Sequence, residues 1–358
     1  MENKPLQHGD IGWVSTLKAA CILLVVLFHV TEPGFASTVP SLSAGRQIAL
    51  CWEAFNAHLS PFRMPAFFFV SGLLARRSIF TRSWRELARG RLANLLYLYL
   101  LWCLLQWLAV QSIIHAVTGE QISPNTNAIY AGSLSALIGL TLKGMSSAWY
   151  IYALFGYLLV AKLGKGRAGP LLALGLLLNT AAALKLVPGW GPQSLCLYFI
   201  YFALGACVSA RVISLSQART GHIPAWLLLI SGALVLHAAG LSHNLFASAL
   251  AILLAIAGCR ALNAHLPMQR FNRLGRITLP IYVLHRILIE LFGMLAIQYG
   301  ERYGFAHPLF SLAWAAAYPA AMTLLCAGAA LALWKLADRG PGRWLFILPA
   351  RSPAPATA

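Results

Sequence analysis

Charged side chains are scarce in this chain of 358 residues, where aspartate, glutamate, lysine and arginine together make up 10% of the sequence. A soluble globular domain carries about 25% of such residues. Hydrophobic residues make up 59% of the chain, and the mean hydropathy is +0.71. This balance excludes an ordinary soluble protein and indicates a polytopic membrane protein.

Long polar stretches are also missing, since the longest gap between apolar windows covers about residues 117–146. Apolar windows near the length needed to span hydrocarbon, about 20 residues, recur from end to end. They predict an all-α protein with ten transmembrane helices, at about 12–31, 48–75, 91–116, 147–163, 169–184, 193–211, 224–240, 243–262, 277–298 and 309–336. The second window is interrupted by Pro61 and Pro65, and an eleventh candidate at 133–142 is too short to cross. We expect one membrane domain over 1–340 and a short cytoplasmic tail over 341–358.

Cysteine pairs, internal repeats and a cleavable leader are not evident. The seven cysteines all fall in predicted spans, so none is expected in an outer-loop disulfide. None has the spacing of a metal ligand set, and we expect no metal site. The first apolar segment is too long for a signal peptide and lacks a convincing cleavage site, so we expect it to be a retained membrane anchor.

Acidic residues number 9 against 27 lysines and arginines, which gives a net charge of +18. Such a charge is compatible with nucleic-acid binding, but its distribution favours another origin. With a cytoplasmic N-terminus, twenty basic residues fall on the inner side and four on the outer side, Arg46, Lys143, Lys185 and Arg302. This asymmetry predicts that both termini are cytoplasmic. The charge is then explained by topology and anionic lipid, and no nucleic-acid partner is expected.

The first predicted span contains LKAACILLVVLFHVTEP, residues 17–33, with a lysine near one end and a histidine near the other. Lys18 and His29 are eleven residues apart, which places them on one helix face and separates them by about 16 Å. Ionisable groups within a membrane are costly and usually line an interior path. The structural alternative is that Lys18 snorkels to the inner headgroups while His29 lies at the outer interface.

The second span contains FRMPAFFFVSGLLARRS, residues 62–78. The predicted topology puts Arg63 in its outer half, where a buried arginine needs a partner or a ligand. Ser71 lies nearer the inner side, and Arg76 and Arg77 lie at the cytoplasmic boundary. These two arginines are either ligand-binding residues or topology signals. The three consecutive phenylalanines favour packing over a pocket.

Two later spans also carry polar and aromatic residues. SSAWYIYALFGYLL, residues 146–159, contains Trp149 and Tyr150, which are typical of interfacial anchors. LPIYVLHRILIE, residues 279–290, contains His285, Arg286 and Glu290 within an apolar run. The spacing of Arg286 and Glu290 is that of an internal ion pair on one helix.

Taken together, these segments resemble the membrane-bound acyltransferase 3 family. In span one, the resemblance is a basic residue followed, after ten further residues, by a histidine. Span two contains the motif MPxFFFxSG. Span four contains a Trp-Tyr pair, and span nine contains the motif IYxLH. The segment FRMPAFFFVSG resembles the corresponding sequence in a branch of small inner-membrane members of the family that lack an attached hydrolase-like domain. This chain has Lys18 where the family commonly has arginine. Lysine is a point charge, so bidentate recognition is not implied there.

The resemblance implies a ten-helix enzyme of the bacterial inner membrane that O-acylates an envelope or exported glycan. The donor would be cytoplasmic acyl-CoA, with acetyl-CoA as first candidate, and no bound cofactor is expected. His29 would act as general base on a sugar hydroxyl, because imidazole titrates near neutral pH. Glu32, one turn on, would hold its tautomer. Direct transfer and a transient acyl-enzyme both remain open.

The remaining candidate residues would bind the substrates. They are Lys18, Arg63, Ser71, Arg76, Arg77, Trp149, Tyr150 and His285. The alternative function is a transporter of a glycan or lipid-linked precursor, in which the polar residues line a conduit without chemistry. Paired half-helices and a two-fold repeat would favour transport, and neither is visible in the sequence. A structural or signalling protein, the third class, predicts that His29 is dispensable.

Overall fold

The structure is a computed structural model that describes residues 12–217, 219–241 and 244–349. The C-terminal segment RSPAPATA, residues 351–358, lies outside these residues. So do Lys4 and Arg351, two of the twenty basic residues that the predicted topology places on the inner side. All regular secondary structure in the described part is helical, which confirms the all-α prediction. The α-helices are α1 Gly12–Val30, α2 Ala36–Thr38, α3 Arg46–His58, α4 Ser60–Phe80, α5 Trp84–Leu87, α6 Ala93–Ile113, α7 Leu134–Leu142, α8 Trp149–Leu163, α9 Ala168–Ala183, α10 Trp190–Leu215, α11 Ile223–Ala238, α12 Leu245–His265, α13 Gln269–Arg276, α14 Thr278–Leu288, α15 Met294–Tyr299 and α16 Pro308–Ala337.

Short π-helical and 3₁₀ segments extend or join several of these helices. The π-helical segments are Thr31–Phe35, Ala88–Leu92, Ile114–Thr118, Ile289–Gly293 and Gly300–Gly304. The 3₁₀ segments are Val39–Ser41, Ala128–Tyr130, Thr220–His222 and Gly340–Leu345. Single π-helical turns inside long helices are frequent at functional sites.

Seven helical stretches in the described part are long and apolar enough to cross a membrane. They are Gly12–Ser41, Trp84–Thr118, Trp190–Leu215, Thr220–Ala238, Leu245–His265, Thr278–Gly304 and Pro308–Ala337. The apolar helices α8 and α9 are shorter, and α4 is 21 residues long. Many large apolar side chains lie exposed along these helices, as expected where lipid replaces water.

The second predicted span is divided into two helices. α3 ends at His58 and α4 begins at Ser60, so the apolar window 48–75 does not form one rod. Pro61 lies in the first turn of α4, where its missing N–H leaves no hydrogen bond unmade. Few α3 side chains are buried, whereas α4 is buried along most of its length. The helix that enters the bundle therefore begins about twelve residues later than the window predicts.

The helix α1 lies inside the bundle and packs against α4, α12, α13, α14 and α16. Two close backbone approaches hold the crossing of α4 and α10. A Cβ atom on Gly72 of α4 would lie 2.0 Å from the Phe202 carbonyl oxygen of α10, and one on Gly205 would lie 1.9 Å from that of Phe69. Small residues at such crossings let helix backbones meet, which is how membrane helices gain packing energy.

The segment that follows α16 packs back on α6. The indole of Trp102 donates to the Leu345 carbonyl at 2.7 Å, and the Tyr97 hydroxyl donates to that of Trp344 at 2.9 Å. The side-chain oxygen of Asn94 accepts from the Leu348 N–H at 2.8 Å. The described part of the predicted tail is thus attached to the helical body by three hydrogen bonds.

Candidate active site

His29 lies in the last turn of α1, at the point where this helix is interrupted. Glu32 has the extended backbone angles φ −113° and ψ 123°, because a residue that precedes proline is disfavoured in the helical region. The His29 ring is half-buried, and its centroid lies 5.0 Å from that of Phe28 and 5.2 Å from that of His285. The helix break therefore ends α1 beside a second histidine from α14.

His285 is buried, and its contacts with backbone carbonyl oxygens define which of its ring nitrogens carries the hydrogen. Its Nδ1 lies 2.6 Å from the Tyr282 carbonyl oxygen and 3.2 Å from that of Ile281. Carbonyl oxygens only accept hydrogen bonds, so Nδ1 carries the hydrogen. The other nitrogen, Nε2, is buried and has no hydrogen-bond partner among the described residues.

Arg63 is buried beside the same end of α1. Its Nη1 donates to the Asn56 carbonyl at 3.0 Å and to the side-chain oxygen of Asn56. Its guanidinium carbon lies 4.5 Å from the centre of the Phe28 ring, within the range of a cation–π interaction. The partner that the sequence required for this arginine is thus supplied by α3, and its charge acts on His29.

Glu32 does not hold the His29 ring. No hydrogen bond joins the two side chains, and the charged groups that act on the Glu32 carboxyl are Glu53 and Arg63. The expected contact relied on a spacing of three residues along a continuous helix. Because α1 ends at Val30, this spacing no longer places the carboxyl beside the imidazole.

A buried cluster around Arg286 lies next to this histidine pair. Arg286 and Glu290 form the expected ion pair, with Nη2 and Oε2 3.9 Å apart. Both are joined more closely through Tyr130, whose hydroxyl donates to Oε2 at 2.7 Å and accepts from Nη2 at 2.7 Å. The second carboxylate oxygen accepts from the Ile122 N–H at 2.9 Å. Tyr130 and Ile122 belong to the segment between α6 and α7, and no local pattern in the sequence pointed to them.

The predicted residues of the fourth span pack against those of the second. The Tyr150 hydroxyl is hydrogen-bonded to Ser71, and its ring stacks on that of Phe67 at 4.7 Å. The Phe68 ring lies 5.8 Å from that of Trp149 and 4.8 Å from that of Tyr150. The structure therefore brings Ser71, Trp149 and Tyr150 together in one aromatic contact between α4 and α8.

The predicted inner-side cations are spread along the bundle. Lys18 is half-buried in α1 and pairs with no other described residue. Arg76 is half-buried and its Nη1 lies 3.5 Å from the Ser209 hydroxyl, whereas Arg77 is exposed. The helical rise puts Lys18 about 16 Å from His29 along the axis. Lys18 thus lies away from His29 along α1.

No three His, Cys, Asp or Glu side chains of the described residues come together as a metal site. Three buried side-chain atoms on or beside α14 have no hydrogen-bond partner among the described residues: Nε2 of His285, Nε of Arg286 and Oε1 of Gln106. Gln106 is fixed through its other terminal atom, which donates to the Val283 carbonyl at 2.7 Å. One hydrogen-bond donor and two acceptors therefore remain open around α14, which suits a polar ligand or water.

Ionisable residues that face the interior of a bundle of apolar helices are typical of a membrane protein with a functional site or pathway between its helices. The family model for an acyltransferase domain, Acyl_transf_3, matches residues 11–334, so the chain belongs to the acyltransferase 3 family. It is also 31% identical over 350 residues to the inner membrane protein YcfT of Escherichia coli (strain K12), over 94% of this chain and 96% of that protein. No solved structure matches the chain.

These comparisons confirm the resemblance that the sequence motifs indicated. The protein is an acyltransferase and a multi-pass protein of the inner membrane. An acyltransferase that works in a bilayer requires an acyl donor and an acceptor, and its own residues must hold both at one place.

Proposed function

We propose that this enzyme moves an acyl group, with acetyl as first candidate, from cytoplasmic acyl-CoA to a hydroxyl of an envelope or exported glycan. The observation that carries the proposal is the position of His29, half-buried at the end of an interior helix and next to His285 and Arg63. A histidine in this setting is suited to remove the proton of a hydroxyl at neutral pH.

The proposed topology has ten membrane crossings and both termini in the cytoplasm. The seven long apolar stretches together with α4, α8 and α9 supply ten helices for it. One membrane domain covers 1–340, and the chain from 341 to 358 is a short cytoplasmic tail. A reporter fused after residue 85 is then expected to behave as cytoplasmic, and one near residue 125 as periplasmic. The opposite pattern would contradict the orientation.

In the proposed reaction His29 takes the proton of the acceptor hydroxyl as its oxygen attacks the thioester carbon. The carbonyl oxygen gains negative charge in that step and needs a positive or hydrogen-bonding partner. Arg63, whose guanidinium packs on the Phe28 ring beside His29, is our candidate for this partner. Collapse of the intermediate breaks the carbon–sulfur bond, and the proton returns from His29 to the CoA thiolate.

The proposed donor side lies toward the cytoplasmic end of α1 and α4. Lys18, Arg76 and Arg77 are candidates to bind the CoA phosphates. The half-buried ammonium of Lys18, which has no partner among the described residues, supports this role, because an ionisable group within the bundle needs a partner or a ligand. Ser71, Trp149 and Tyr150 lie along α4 and α8 between the two ends, where they would line the acyl chain's route.

Mass spectrometry of envelope polysaccharides tests this function directly. Polysaccharides from cells with the gene are expected to carry an O-linked acyl group that is missing from cells without it. The mass difference also identifies the group, because an acetyl and a succinyl ester differ in mass. Identical spectra from the two strains would contradict a glycan acceptor.

A further inference from the structure

A histidine that acts as general base is usually held in place by a third group, which fixes its tautomer and stabilises its protonated form. The carboxylates near His29 do not fill this role. Glu32 lies beyond the helix break, and Glu290 is occupied by the Ile122 N–H and the Tyr130 hydroxyl. No described group is hydrogen-bonded to the His29 ring.

His285 presents an open atom that suits this role and contacts the His29 ring. Its Nδ1 is bonded to the Tyr282 and Ile281 carbonyls, so the neutral ring presents a lone pair on Nε2. This nitrogen is buried and has no partner among the described residues. A buried polar atom without a hydrogen bond is costly, and its persistence in a native structure calls for a functional explanation.

The two rings are close enough to interact. Their centroids are 5.2 Å apart and their planes are inclined by 33°. Rings in contact at this distance leave room for a hydrogen bond between a nitrogen of His29 and Nε2 of His285.

We propose that His285 is the positioning residue for His29, so that a histidine takes the place usually held by a carboxylate. This inference rests on the proposed function. As the acceptor oxygen forms its bond to the thioester carbon, its proton moves to one nitrogen of His29. The other nitrogen keeps its own hydrogen and donates it to Nε2 of His285. The proton taken up then passes from His29 to the departing CoA sulfur, and both histidines return to their starting state.

Two substitutions of His285 separate this role from a structural one. His285→Asn keeps a donor near the position of Nδ1, which satisfies the Tyr282 carbonyl, but it removes the acceptor at the position of Nε2. His285→Gln extends a terminal polar atom to about the position of Nε2. A merely structural anchor would be preserved by asparagine, whereas the proposed role is preserved by glutamine.

The assay uses membranes that contain the full-length protein, radiolabelled acetyl-CoA and an envelope glycan extract, with rates normalised to inserted protein. We expect His285→Asn to lower kcat by about 10- to 100-fold, the value of a hydrogen bond to a charged group, with an unchanged KM for acetyl-CoA. His285→Gln is expected to recover most of this loss. Three results would each overturn the proposal. They are full activity of His285→Asn, a raised KM with an unchanged kcat, and a loss of inserted protein in both variants.

A double substitution tests whether His285 acts through His29. In a His29→Ala background, His285→Asn is expected to cause no further loss, because the group that it positions is already gone. A further loss of the same size would mean that His285 contacts the substrate by itself. If the wild type transfers no label, the proposed function fails for this donor and acceptor. The inference about His285 alone would be overturned by one combined result: the wild type is active, His29→Ala is inactive and His285→Asn is fully active.

Discussion

Removal of the Glu290 carboxylate is expected to be one of the most destabilising single changes in the bundle. The side chain is fully buried and accepts hydrogen bonds from the Ile122 N–H at 2.9 Å and the Tyr130 hydroxyl at 2.7 Å. Glu290→Ala leaves both donors without an acceptor and leaves the buried Arg286 without its counter-charge. Loss of one partner of a buried ion pair costs about 3–5 kcal/mol.

Glu290→Gln is expected to cost less, about 1–3 kcal/mol, because its amide oxygen still accepts one of the two hydrogen bonds. The measurement is the free energy of unfolding of the detergent-extracted protein, followed by circular dichroism as a denaturing detergent is added. Glu301→Ala is the matched control, since Glu301 is an exposed glutamate of the next helical turns. If Glu290→Ala and Glu301→Ala unfold with the same free energy, the cluster does not hold the segment between α6 and α7 in place.

Three further predictions concern the donor side and the helix crossing. The double substitution Arg76→Ala with Arg77→Ala is expected to raise the KM for acetyl-CoA and leave insertion intact, and full activity at limiting donor would mark these arginines as topology signals. Lys18→Arg is expected to keep most of the activity because it keeps the positive charge, whereas Lys18→Leu is expected to lose most of it. Equal transfer rates for the two variants would contradict a role of Lys18 in binding. Gly205→Ala is expected to lower stability, because its Cβ would lie 1.9 Å from a backbone oxygen of α4, while Gly258→Ala, where the space is open, is the control that should not.

The helices were predictable because the bilayer imposes one simple condition, an apolar run of sufficient length. That condition says less about where a helix begins inside such a run. The window 48–75 was predicted as one long span, yet the chain divides at Leu59 and α4 begins with Ser60 and Pro61. Proline marked the place, but the burial of α4 and the exposure of α3 depend on neighbours that hydropathy does not describe.

The site was predictable as far as it depends on one helix at a time. The face shared by Lys18 and His29, and the pair Arg286 and Glu290, follow from helical spacing alone. The spacing argument failed for Glu32, where the proline that follows ends the helix.

Contacts between distant parts of the chain were not accessible to local patterns. Tyr130 is 156 residues from Arg286 in sequence, and a lone tyrosine in a polar segment carries no signal of its partner. Lys162 is one of the twenty basic residues that the predicted topology places on the inner side. The structure buries it, and its ammonium donates to the carbonyls of Ile79 and Arg82 at the end of α4. Both side chains depend on tertiary packing, which no short window of a single sequence encodes.

We propose His29 as the general base of an acyl transfer, and the activity of His29→Ala measures that role. The measurement is the transfer of label from acetyl-CoA to envelope glycan, normalised to the amount of inserted protein, with the exposed His58→Ala as control. We expect a loss of about 10²–10⁴-fold for His29→Ala, undiminished insertion, and wild-type activity for the control. Activity of His29→Ala within a few-fold of the wild type would contradict it.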